Sequence, residues 1–152
     1  MRWFRHLRAF VHAETYPRRL IVEAAFELVR ARMLTRGSAR SFTKELGTLL
    51  LEERSPGPMA EPKNAEAVRL GALVSAVGSA APFRARCLQQ SIALRQMLSR
   101  RGIPAVVHLG IARDRAQRAG TDDAAHAWVS VGARVVSGGG ALENYATVAR
   151  FG

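Results

Sequence analysis

One cysteine, Cys87, stands in the whole chain of 152 residues. A single thiol excludes an internal disulfide framework and a thiolate metal cluster. Lysine is nearly missing as well: Lys44 and Lys63 stand against 21 arginines. No run of 18 or more apolar residues occurs, so no transmembrane helix is expected. The opening "MRWFRHLRAFVHAETYPRR" is broken by charge every two or three positions and lacks the apolar centre of a signal peptide. The cytoplasm is therefore the expected compartment. Four scattered histidines give no ligand pairing, and neither a metal nor any other cofactor is expected. Internal repeats and sustained heptads are missing too. "VGARVVSGGG" lacks the Lys-Ser/Thr ending of a phosphate loop and reads as a hairpin followed by a turn.

What is present is positive charge, +11 in all. It is spread out: residues 1–55 carry 11 basic and 6 acidic groups, residues 56–86 carry 4 and 2, and residues 87–152 carry 8 and 4. A nucleic-acid binder concentrates such charge on one element. No nucleic-acid partner is expected, and no membrane association.

The first half has helical periodicity. Phe4, Leu7, Phe10 and Val11 share one face of a short N-terminal helix, expected to pack on the domain. After Tyr16-Pro17, the run "RRLIVEAAFELVRARML" carries Leu20, Ile21, Ala24 and Leu28 in one stripe. Phe26, Val29 and Met33 widen that stripe, which implies burial on more than one side. Gly37-Ser38 breaks it. "SFTKELGTLLLEE" suggests a third helix with Ser41 as N-cap. "RSPGPMAEPK" is a loop, and Asn64 is placed to cap a fourth helix running to Gly78. The boundaries read as a helical region 1–55, a loop 56–63 and a core 64–152.

The second half changes character. "CLQQSIALRQMLSRR" is a helix starting at Cys87, with Gly102 at its C′ position and Pro104 beyond. "AVVHLGIAR" reads as a strand, and "HAWVSVGARVVSG" as a β-hairpin around Gly132-Ala133. The whole is α+β: a helical N-terminal half, then a Cys-bearing helix packed on a small antiparallel sheet.

The chemistry centres on Cys87 and His126. Cysteine attacks as a thiolate, which a helix N-terminus, nearby cations and an imidazole all favour. Cys87 opens a helix with Arg84 and Arg86 just upstream, and its own backbone N–H is the natural first oxyanion donor. His126 opens a strand 39 residues downstream, with Trp128 and Ser130 on the same face. His6 and His12 read as solvated surface, and His108 as mid-strand. A lone cysteine is more often structural than catalytic, and a lone histidine more often a surface or hydrogen-bonded residue. The combination of helix-start Cys with a His-led hairpin is less common.

"CLQQSIALRQMLSRRGIPAVVHLGIAR", "AHAWVSVGARVV" and "NYATVARFG" resemble the lasso-peptide leader peptidases, members of the transglutaminase-like, papain-related cysteine hydrolases. The resemblance is strong over residues 64–152 and general before them. It implies Cys87 as nucleophile and His126 as general base and acid. It implies cleavage of a ribosomally made precursor between leader and core, before a partner ATP-dependent cyclase closes the macrolactam. No winged-helix segment precedes residue 64, so the stand-alone type is implied, working with a separate leader-recognition protein. The family usually places an Asp near the end of the strand after the His strand. With a two-residue turn at Gly132-Ala133, Ala127 is expected to face Gly138 and His126 to face Gly139, and the local sequence there is "VVSGGG", with no carboxylate. Glu143, Asp122, Asp123, Ser137 or a backbone carbonyl are the alternatives for orienting the imidazole. With that carboxylate missing, a non-catalytic peptidase-like module binding precursor or cyclase is the alternative function.

Overall fold

The computed structural model describes residues 16–51, 57, 59–83, 85–114, 120–121 and 124–152. The expected N-terminal helix, with His6 and His12, lies outside them, as do Arg84, Asp122 and Asp123.

Helix α1 spans Arg18–Arg36. Pro17 sets its start, its carbonyl accepting the Leu20 N–H at 2.8 Å, because proline tolerates a helix entry where no donor is needed. Its buried face is Ala24, Glu27, Leu28 and Ala31. Phe26, Val29 and Met33, expected to widen that face, are exposed. They point the opposite way, and nothing in the described residues covers them.

Helix α2 is Ala39–Leu46, preceded by Ser38 rather than capped by Ser41. It stops at Gly47, seven residues short of the expected "LLLEE" end. Residues 48–50 instead run along the last strand. Thr48 N–H donates to Gly152 O at 2.9 Å, Leu50 N–H to Arg150 O at 2.8 Å, and Gly152 N–H to Thr48 O at 3.0 Å. A sheet edge with unpaired backbone groups outcompetes helix propensity here.

Helix α3 is Glu61–Ala80, with Ala60 at its N-cap, four residues before the cap expected at Asn64. Pro62 fits the first turn, and Asn64 Nδ2 donates back to Met59 O at 3.0 Å. Helix α4 is Cys87–Ser99, ended as expected by Gly102 at φ 62°.

Four antiparallel strands follow: β1 Val106–Ala112, β2 Ala125–Val131, β3 Arg134–Ser137 and β4 Tyr145–Phe151, in the order β3-β2-β1-β4. The hairpin at Gly132-Ala133 was legible. The strand β4 was not assigned from the sequence. Nor was a bulge in β3: Ser130 pairs with Val135, but Val129 pairs with Ser137. The expected pairing of Ala127 with Gly138 and His126 with Gly139 therefore does not hold.

One face of the sheet, Val107, Val129, Val131 and Val136, joins Ile92, Leu94, Met97 and Leu98 of α4, with Ala24 and Leu28 of α1 and Leu73 of α3. This is the α+β arrangement of a Cys-bearing helix on an antiparallel sheet. The other face carries a smaller cluster, Ala112, Trp128, Tyr145 and Leu142. Carboxylates of α1 bind the helical layer at its rim. Glu23 meets Arg100 at 3.0 Å and Arg101. The buried Glu27 meets Arg100 at 2.9 Å and Arg30 at 3.2 Å. Arg30 also reaches Glu45 of α2.

Candidate active site

Cys87 is the first residue of α4 and is partly buried. The chain is held there by the two glutamines that follow it. Arg86 N–H donates to Gln89 Oε1 at 3.0 Å, and Gln89 Nε2 donates to Thr35 Oγ1 at the end of α1 at 3.0 Å. Gln90 Nε2 donates to Ala85 O at 2.9 Å. Gln89 is a capping-box residue, three positions after the N-cap. That spacing is present in the sequence as "RCLQ", residues 86–89.

Three contacts place His126 along the molecule. Helices α3 and α4 are antiparallel: Lys63 Nζ donates to Gly102 O at 3.2 Å, while Gly78 faces Ala85 and Gln90. The hairpin turn at Gly132 lies beside Met59, just ahead of α3. The turn is thus at the C-terminal end of α4. The opposite end of β2, with His126, lies at the Cys87 end.

The pleat places His126 across the molecule. Strand β2 alternates, Val129 and Val131 facing α4 while Trp128 faces away, and His126 shares the Trp128 parity. Its ring stacks on Trp128 with centroids 6.0 Å apart, and meets Tyr145 at 4.9 Å. Its Nε2 donates to the Gly138 carbonyl at 2.7 Å. Among the described residues, no hydrogen bond joins Cys87 to His126. Helix and histidine share one end of the sheet, on opposite faces of it.

The alternatives for the orienting group separate in the same way. Gly138 supplies a backbone carbonyl to the ring. Ser137 is buried at the register of Val129, facing the helices rather than His126. Glu143 is exposed in a 3-10 turn, Leu142–Asn144, where its backbone carbonyl accepts Arg113 Nε at 3.1 Å. Asp122 and Asp123 lie outside the described residues.

His108 sits opposite Trp128 on β1, stacked on it at 5.3 Å with the planes 2° apart, and bonded through Nε2 to Ser130 Oγ at 2.8 Å. Burial, then the Arg150 charge on the neighbouring strand, holds its imidazole below the ordinary value of 6.5. A pocket lined by Arg95, Ser99, Ile103 and Pro104 lies at the far end of α4, about 20 Å along the helix from Cys87 by the usual rise per residue. It belongs to a different region from the thiol. Among the described residues no group of three His, Cys, Asp or Glu could hold a metal ion, and no helix is long and apolar enough to cross a membrane.

A family model described as the transglutaminase-like superfamily matches residues 25–150. That span runs from within α1 to within β4, with Cys87 and His126 inside it. No curated protein and no solved structure gives a match.

Proposed function

The chain belongs to the transglutaminase-like superfamily, and from that premise we propose that it is a cysteine peptidase with Cys87 as nucleophile and His126 as general base and acid. The observation that carries this reading is the thiol itself: the only one in the chain, at the first residue of the helix that packs on the sheet, at the end where His126 lies. Backbone N–H groups of a first helical turn have no partner within the helix, so they favour a thiolate and can bind an oxyanion. With Nε2–H bonded to Gly138 O, the neutral His126 ring keeps its lone pair on Nδ1. In the proposed reaction Nδ1 takes the thiol proton as sulfur attacks the scissile carbonyl. The oxyanion forms at the Cys87 N–H. The C–N bond then breaks as the imidazolium returns its proton to the leaving amine. Water, deprotonated by the same imidazole, releases the acyl group and restores the thiol.

This chemistry requires His126 to approach Cys87 more closely than the observed arrangement allows. Catalytic hydrogen bonds of substrate-free enzymes are often long and tighten on binding, and a strand-end position gives the side chain room to turn. The substrate class proposed is a ribosomally made lasso-peptide precursor, cut between leader and core with help from a separate leader-recognition protein, ahead of an ATP-dependent cyclase. The support for this finer reading is the resemblance of residues 64–152. The test is cleavage of precursor by this chain with the recognition protein added. Cys87→Ala and His126→Ala should each abolish it while leaving the melting transition intact. Retained cleavage in either variant would refute the assignment.

One observation favours a second reading, a non-catalytic module that binds precursor or cyclase. His126 is engaged by a carbonyl and two aromatic rings, on the sheet face away from the helix that carries the thiol. On that reading precursor binds with unchanged affinity in the Cys87→Ala and His126→Ala variants, and no product forms with the natural chain.

A further inference from the structure

Helix α1 has two apolar faces, and the fold uses one. Val22, Phe26, Val29 and Met33 are 66, 65, 50 and 63% exposed. Their spacing is four, three, four, the spacing of a coiled-coil seam, so they form one line down the helix. Neither acid of the helix lies on that side. The two acids of α1, Glu23 and Glu27, turn toward the helical layer and are bound by Arg100, Arg101 and Arg30. What faces outward at the two ends of the line is basic: Arg18 and Arg19 at one end and Arg36 at the other, all exposed.

We propose that this line is a docking seam for an acidic amphipathic helix of a partner protein. The apolar residues supply knobs for a facing helix, and the arginines at both ends select acidic flanks. Three other occupants fit less well. A second copy would bring the same arginines against each other in either orientation, on molecules that each carry +11. The chain's own residues 1–15 would bring Arg2, Arg5 and Arg8 to an arginine-bordered seam, with Glu14 as the one acid. An anionic bilayer suits arginines, but interfacial helices present a broad apolar face rather than a line four residues long. The inference stands independently of whether Cys87 is catalytic.

The test uses the full chain and a synthetic three-heptad helical peptide with Leu at the a and d positions and Glu at e and g. Fluorescence anisotropy at low salt should show saturable binding, weakened by added salt. Replacing Phe26→Ser and Met33→Ser together, or Arg18→Glu and Arg36→Glu together, should weaken it about tenfold or more, on the scale of one lost anchoring contact. Both double variants should keep the circular-dichroism melt of the natural chain, because the changed residues are exposed. A peptide with Lys in place of Glu should not bind. Failure of the acidic peptide to bind, or equal binding by the Phe26/Met33 variant, would overturn the proposal. So would a dimer in light scattering that the same variant abolishes, binding to phosphatidylglycerol vesicles without peptide binding, or peptide binding that appears only when Phe4, Leu7 and Phe10 are changed to serine.

Discussion

A carbonyl oxygen carries no proton, so the 2.7 Å contact between His126 Nε2 and Gly138 O fixes which nitrogen is the donor. A carboxylate would do the same and would also stabilise an imidazolium. A carbonyl orients the ring with a partial charge only. Gly138 is suited to this by its backbone: φ is 74°, a conformation costly for residues with a Cβ. A Cβ there would also sit 2.7 Å from Ala127 O and 3.0 Å from Trp128 Cβ. The change Gly138→Ala should therefore shift the carbonyl off the ring and cost about 1–2 kcal/mol from the left-handed backbone alone. Denaturant melts and the His126 ring ¹⁵N shifts measure the two effects. An unchanged nitrogen spectrum would mean that the carbonyl does not hold the tautomer. His108 gives a different residue-scale prediction. Its imidazole is held below the ordinary 6.5 by burial and Arg150, so the unfolded chain binds a proton that the folded chain refuses. Stability from this residue is complete above about pH 6.5 and is lost as pH falls toward the lowered folded value. In His108→Gln the slope of unfolding free energy between pH 7 and 5 should flatten. Identical slopes for variant and natural chain would contradict it.

At the scale of elements, strong local signals carried through and pairings between distant segments did not. Helix α4 was legible from its Cys87 start to its Gly102 stop, because cap chemistry and periodicity lie within one window. The β2–β3 hairpin was legible for the same reason. The bulge that skips Val136 was not: it moves Gly138 from the register of Ala127 to that of Trp128, the residue on which the His126 ring stacks. Residues 48–50 show the same limit. Their leucines read as helix, but their N–H groups are claimed by Arg150 and Gly152, a hundred residues away in sequence. Helix pairing is equally nonlocal. Glu27 is the one charge within "AAFELV", and it is 2% exposed because Arg100 and Arg30 neutralise it. Glu27→Gln should cost roughly 1.5–3 kcal/mol, the range for hydrogen bonds to charged groups, read as a lower denaturant midpoint. The hydrogen bond from Arg101, opposed by some burial, holds the Glu23 carboxyl below its ordinary value of 4.5. Its contribution is complete above that value and is lost as pH falls through the lowered one. Acid unfolding should therefore begin at higher pH in Glu23→Gln than a carboxylate-neutral control such as the exposed Glu61→Gln shows.

At the scale of the whole molecule, the helical first half and the sheet close around one core. Leu28 of α1 is 1% exposed and Leu46 of α2 fully buried, and both belong to the cluster that holds Ile92 of α4 and Val129 of β2. Covalent order separates these residues by up to a hundred positions, so their contacts form only when the chain is folded throughout. The strip at residues 48–50 adds a second tie, hydrogen-bonded to the far edge of the sheet at β4. Cooperative units follow shared buried surface rather than position along the chain. Leu28→Ala and Ile92→Ala, one change in each half, should each cost roughly 2–5 kcal/mol, the range for emptying such a site. They should lower the midpoint of one common transition, seen identically by far-ultraviolet circular dichroism, which weighs the helices, and, with Trp3→Phe in the background, by Trp128 fluorescence, which reports on the sheet. A first half that melts separately in Leu28→Ala while the Trp128 signal stays put would show two units, a helical domain resting on an independent core. A single transition would mean that Cys87 is positioned by α1 as firmly as by the sheet, through the bond from Gln89 to Thr35.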